Sequence, residues 1–143
     1  MAFIPEDAEW YWADIVFEIL VEGTKRSTVH INTTLIKADS PEEAYEKSNI
    51  LGKLGEQTYL NAKGRKVKFK FRGLRDLDVI HETLGDEAEI LFSERPSMTE
   101  PAIKKLISKK KNLGVFATSR PSKAPNYMPK EIAEGLQKLG FKI

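Results

Sequence analysis

Alternation of apolar and polar side chains dominates the first half of the chain. From Trp10 to Val21, residues Tyr11, Ala13, Ile15, Phe17, Ile19 and Val21 share one side while Asp14 and Glu18 take the other. That period of two marks a half-buried strand. Glu22-Gly23-Thr24-Lys25-Arg26-Ser27 is a polar turn, and Thr28–Ala38 alternates again, with Val29, Ile31, Thr33 and Leu35 on one side and many β-branched residues. An antiparallel hairpin follows from the pair. Ser40-Pro41-Glu42-Glu43 then opens a helix: Ser40 caps a free N–H, Pro41 suits the first helical position and Glu43 completes a capping box. Ala44, Ser48, Leu51 and Leu54 are spaced to face a sheet, and the helix weakens at Gly52 and Gly55. Asn61-Ala62-Lys63-Gly64 predicts a turn before the clearest strand, Arg65–Gly73, in which Val67, Phe69 and Phe71 oppose Lys66, Lys68, Lys70 and Arg72. A helical or irregular stretch around Asp78–Leu84 leads to Ala88–Phe92, the expected fourth strand.

This pattern predicts an α+β fold in two layers: an antiparallel four-stranded sheet, elements ordered β-β-α-β-β, with one main helix on one face. Residues 1–94 form that body. Residues 95–143 form a Pro-containing extension with two short amphipathic helices. The first spans Thr99–Asn112 with Ile103, Leu106 and Ile107 as its stripe. The second opens at Met128-Pro129, aligns Ile132, Leu136 and Leu139, and closes at Gly140. Between them, Thr118–Pro129 holds three prolines among serines and lysines, a composition that extends rather than packs.

Composition narrows the classes. With 143 residues, 41% hydrophobic and 31% charged, the chain suits one soluble domain with an extension, and no run approaches the roughly 18 apolar residues of a membrane helix. Acidic residues near Met1 argue against a secretory leader. The absence of cysteine excludes disulfides and thiolate sites. A cytoplasmic, bacterial-type protein is the expectation. The formal net charge of +2 conceals a split: residues 1–94 carry 12 basic and 18 acidic side chains, and residues 95–143 carry 11 and 3. A basic extension on an acidic body either folds back onto it or reaches for an acidic partner.

Reactive chemistry is sparse. His30 and His81 have no metal-spaced neighbours, and His30 alternates with Asn32 and Thr34 on a polar strand side. Asp76 and Asp78 suit a turn better than an acid/base couple. No nucleophile elbow, phosphate loop or zinc-protease helix occurs. No enzyme activity, cofactor or metal is expected. Gly52-Lys53-Leu54-Gly55 resembles the Gly-x-x-Gly loop of KH domains, which clamps a nucleic-acid backbone between two helices. Fraying at a helix end is the plainer account. The ladder Lys66, Lys68, Lys70 and Arg72, with Trp12 on the matching side of the first strand, suits phosphate contact and base stacking. Pairing with Asp14, Glu18, Glu87 or Glu89 is the alternative.

Trp10-Tyr11-x-Ala13 leading into Phe17-Glu18, the run Leu35–Lys47, and Asn61-x-x-Gly64 with Val67-x-Phe69-x-Phe71-x-Gly73 and Asp76-Leu77 carry a resemblance. Residues 10–92 resemble the bacterial family termed domain of unknown function 4288. The resemblance implies the fold and transfers no activity; the extension from Arg95 lies outside it. Two functions remain in view. The first is a non-enzymatic accessory protein docking on a larger assembly or acidic protein surface, through Lys104, Lys105, Lys109, Lys110, Lys111, Arg120 and Lys123 together with Ile132, Leu136 and Leu139. The second is RNA or DNA binding through the ladder, the extension's lysines and Gly52–Gly55. Self-association is a further option, with Trp10 and Trp12 covering an apolar patch between copies.

Overall fold

The computed structural model describes residues 7–117 and 127–140. The chain divides into two compact units, Met1–Ile90 with Ala124–Ile143 and Leu91–Lys123, so the segment from Arg95 onward is shared between them. In the first unit, strands β1 (Trp10–Val21), β2 (Thr28–Lys37), β3 (Gln57–Leu60) and β4 (Lys66–Val79) form one antiparallel sheet in the order β2-β1-β4-β3. Helix α1 (Pro41–Leu54) follows β2 in the chain and packs on one face. The fold is α+β, as the alternation predicts.

The fourth strand is not Ala88–Phe92. That stretch stays outside the sheet with Ile90, Leu91 and Phe92 exposed, and Gln57–Leu60 takes the place beside β4. β4 also continues past Gly73 to Val79, through two irregularities opposite β1. Phe71 and Gly73 oppose Phe17 and Val16, leaving Arg72 as an extra residue; Leu74 and Asp76 oppose Ile15 and Asp14, leaving Arg75 as another. Each bulge shifts the alternation by one. The core side therefore runs Phe69, Phe71, Leu74, Leu77, Val79, and its spacings of three imitate a helix in sequence.

Helix α1 begins as its sequence directs. The Ser40 hydroxyl accepts from the Glu43 N–H at 3.1 Å, and Pro41 occupies the first turn. It buries Ala44, Ser48 and Gly52 rather than its large residues; Leu51 and Leu54 are exposed. A side chain on Gly52 would meet the Phe71 ring at 2.3 Å, and one on Gly55 would meet Phe17 at 2.6 Å. The helix thus rests directly on two aromatic rings of the sheet. At the far end of the same face Ile19, Val21 and Val67 form a second cluster with Tyr59, Phe69 and Tyr127.

The residues around Tyr127 cover that end. The Tyr59 hydroxyl donates to the Tyr127 carbonyl, Asn61 bridges to Pro129, and helix α3 (Lys130–Lys138) buries Ala133 to 1% exposure. Gly140 closes α3 at φ +93°. Of the stripe expected to meet a partner, Ile132 and Leu139 are exposed, while the Leu136 side chain lies outside the described residues. In the second unit, Thr99 caps helix α2 (Glu100–Leu106), which ends six residues short of the expected Asn112 and is followed by a 3-10 turn at Lys110–Asn112. This helix buries nothing, and the like charges of Lys105 and Lys109 would sit one turn apart if it continued. The Pro-containing stretch Thr118–Asn126 lies outside the described residues.

Gly52→Ala tests the packing. An added methyl group ordinarily favours a helix by up to about 1 kcal/mol, but crowding against Phe71 costs about 1–3 kcal/mol. The variant is expected to be less stable in urea denaturation, with Phe71→Leu recovering part of the loss in the double variant. A more stable Gly52→Ala protein would show that α1 does not sit on the ring.

Candidate functional site

The face of the sheet away from α1 holds the polar half of β1. Pairing places Trp12 opposite Leu35 and Asp78, Asp14 opposite Thr33 and Asp76, Val16 opposite Ile31 and Gly73, and Glu18 opposite Val29 and Lys70. The apolar side of β2 therefore shares a face with Asp14 and Glu18. Val29, Ile31 and Leu35 remain 56%, 41% and 47% exposed, beside a partly exposed Leu20. His30, Asn32 and Thr34 lie on the α1 face instead, where the His30 ring meets Tyr127 edge-on at 5.3 Å and Phe69 at 6.4 Å. A groove of about 300 Å³ lined by Leu35, Ile50 and Leu51 continues this apolar surface around the β2 edge.

Two carboxylates interrupt the open face, and the two bulge arginines answer them. Asp14 is 4% exposed; its Oδ2 takes both Nε (3.1 Å) and Nη2 (2.7 Å) of Arg75, and its Oδ1 takes the Thr33 hydroxyl at 2.5 Å. Burial pushes the Asp14 carboxyl up, but the hydrogen bonds from Thr33 and Arg75 and the guanidinium charge outweigh it, so its pKa falls below the ordinary value. Glu18 takes the Ser27 hydroxyl at 2.6 Å and Arg72 at 3.2 Å. The Ser27 hydrogen bond lowers its pKa most, with Arg72 and Lys70 adding to it against a smaller effect of burial.

The ladder of cations is real but incomplete as a binding strip. Lys66, Lys68, Lys70 and Arg72 are all exposed, and Arg72 is committed to Glu18. Among the described residues Lys66, Lys68 and Lys70 have no carboxylate within 4 Å. Glu87 and Glu89 lie outside the sheet and pair with none of them. Trp12 stands opposite Asp78, six positions along β1 from the residue opposite Lys70, or about 20 Å at strand spacing. The lysines and the indole are thus separated, and the indole has acidic neighbours. Gly52 lies inside α1 and Gly55 caps it, with Lys53 exposed between them and strand β3 next. The second helix of a KH arrangement is absent because Gln57–Leu60 pairs with β4.

Asp76 and Asp78 each accept from the next backbone N–H, Leu77 and Val79, and face away from His30. His81 lies after β4 in a groove of about 360 Å³ shared with Asp7, Glu9, Trp10 and Glu82, all of whose ionisable groups are exposed. Among the described residues no group of three or more His, Asp or Glu is placed to hold a metal ion, and no helix is long and apolar enough to cross a membrane.

Residues 10–92 match the family described as Domain of unknown function (DUF4288). The chain belongs to that family. No curated protein and no solved structure matches it. The DUF4288 match takes in α1 and all four strands, both arginine bulges included, and stops before α2. Beyond the DUF4288 region, Lys104 and Lys105 close α2, Lys109 precedes the 3-10 turn, and Lys110 and Lys111 lie in it; Lys110 sits over the Phe116 ring at 5.2 Å. Arg120 and Lys123 lie outside the described residues. The outward Val29, Ile31 and Leu35 and the Asp14–Arg75 pair were the residues that alternation alone did not assign. Register holds the missing signal, since a one-residue change in the β1–β2 connection would exchange the two faces of β2.

Asp14→Asn measures that pair. The folded pKa of Asp14 is below its unfolded value of about 3.9, so its stabilisation is complete above that value and is lost as pH falls through the folded one. At neutral pH the variant is expected to lose about 1–3 kcal/mol. The gap to the parent should close as denaturation is followed below about pH 4. A gap independent of pH would mean the carboxylate is not held as described.

Proposed function

We propose that this DUF4288 protein is a small non-enzymatic accessory protein that docks on a larger protein assembly, principally through the basic segment Leu91–Ala117. One observation carries the reading: none of those residues is buried, although the segment holds Leu91, Phe92, Ile103, Leu106, Ile107, Leu113, Val115 and Phe116. Ile107 is 75% exposed and Val115 85%. Ordering a segment costs roughly 1–2 kcal/mol per residue, and here no apolar side chain is fully buried to offset it. A partner surface that is acidic and grooved would take the apolar side chains and neutralise Lys104, Lys105, Lys109, Lys110 and Lys111 together. Ile132 and Leu139 on α3 add exposed apolar contacts. A cytoplasmic, bacterial setting for this chain belongs to the same reading, in keeping with its lack of cysteine. The exposure of His81, Glu82, Asp76 and Asp78 supports a non-catalytic role, because acid/base groups are usually tuned by burial.

A second reading, binding of RNA or DNA, draws on Lys66, Lys68 and Lys70, which stand exposed with no carboxylate within 4 Å among the described residues. It requires an affinity that falls steeply with added salt.

Substitution inside the full chain is the suitable test, because ending the chain at Glu94 would also remove Tyr127 and α3 from the sheet. Ile107→Asp/Phe116→Asp and Lys109→Glu/Lys110→Glu/Lys111→Glu are each expected to lower partner recovery in affinity purification about tenfold or more, the effect of 1.4 kcal/mol. Equal recovery from both variants and the parent would remove the segment from the interface.

A further inference from the structure

The open sheet face has a charge order that the basic segment does not share. Along β4, Lys68 and Lys70 stand at one end and Asp76 and Asp78 at the other, all exposed. Their partners on β1 are Leu20 and Glu18 at the basic end, Asp14 and Trp12 at the acidic end. Val16 is therefore the midpoint: Leu20 and Trp12 are equidistant from it, as are Glu18 and Asp14. The charges inside the face are already answered, Asp14 by Arg75 and Glu18 by Arg72. Lys37, at the β2 edge of the acidic end, lies over the Trp10 ring at 5.8 Å. What remains is an apolar centre of Val16 and Ile31, with Leu35 beside Trp12, and a lysine pair and an aspartate pair at opposite ends.

We propose that a second copy of this chain covers the face, related by a two-fold axis that crosses the strands at Val16. Rotation about that axis reverses strand direction and lays β4 over β4. Lys68 then meets Asp78 of the second copy and Lys70 meets Asp76, each contact occurring twice. Trp12 packs over Leu20 of the other copy, and Val16 and Ile31 close on their equivalents at the centre. Face-to-face sheets separated by about 10 Å allow these side chains to interdigitate. A two-fold axis along the strands instead of across them would place the lysines over β2, where no carboxylate waits. The observed charge order selects the first arrangement, which is isologous and closes on itself as a dimer. The proposed dimer surface shares no residue with Leu91–Ala117, so variants that test one leave the side chains of the other unchanged.

Sedimentation equilibrium of the full chain is expected to give a concentration-dependent mass approaching twice 16.2 kDa. Ile31→Asp should abolish association, and Lys68→Asp/Lys70→Asp or Asp76→Lys/Asp78→Lys should each weaken it about tenfold or more. Mixing the two charge variants restores both contacts and should recover a mixed dimer, detected by native mass spectrometry. Circular dichroism confirms folding, which these exposed substitutions leave intact. A protein that stays monomeric at low salt up to about millimolar concentration, where a Kd would exceed that of the weakest specific contacts, overturns the proposal. So does a dimer indifferent to Ile31→Asp, or charge variants that fail to recover one another.

Discussion

Strand β1 pairs on both sides, and the register of those pairings decides what the protein buries and what it shows. Its odd-numbered residues from Tyr11 to Val21 make the core. Its even-numbered residues present Trp12, Asp14, Val16, Glu18 and Leu20 to the other face, and β2 aligns its own apolar set with these rather than with the core. Helix α1 consequently meets the less apolar side of β2, and approaches the sheet on small residues, Ala44, Ser48 and Gly52. The open face inherits apolar surface that a single copy leaves uncovered.

The same register explains the arginines. A carboxylate as buried as Asp14 is costly unless it is paired and hydrogen-bonded. β4 contributes Arg75 from one bulge and Arg72, beside Glu18, from the other. Extra residues in a strand weaken the ladder locally, but each frees a side chain to reach a neighbouring strand. No buried side-chain polar atom among the described residues lacks a partner.

Much of this fold was legible in the sequence. Alternation in Trp10–Val21 and Lys66–Phe71, the Ser40-Pro41 start of α1 and the Asn61–Gly64 turn all report local geometry, and all appear where their chemistry puts them. Asn61 holds its turn by accepting from the Lys63 and Arg65 N–H groups at 2.9 Å. What alternation could not carry was phase. The bulges at Arg72 and Arg75 broke the alternation, so the expected strand stopped at Gly73 instead of running on to Val79, and the six-residue connection between β1 and β2 hid which face of β2 turns inward. Short β3 had no pattern of its own, because four residues whose core contact is Tyr59 give too few positions for a period. The candidate site divided similarly. The lysines of β4 and α2 were readable as charge, whereas the opposed ends of the open face exist only once β1 and β4 are aligned.

Two surfaces distinguish this DUF4288 chain, a basic segment with no residue buried and a sheet face with apolar residues outside. Both follow from side chains that the core does not take up. The register that creates the second surface can be observed directly. Isotope-edited NMR of the full chain should show cross-strand proton contacts joining Val16 to Ile31 and Ile15 to Asn32. An Hα–Hα or HN–HN contact joining Val16 to His30 or Asn32 in place of Ile31 would mean a slip of one residue, would turn Val29, Ile31 and Leu35 inward, and would contradict this register.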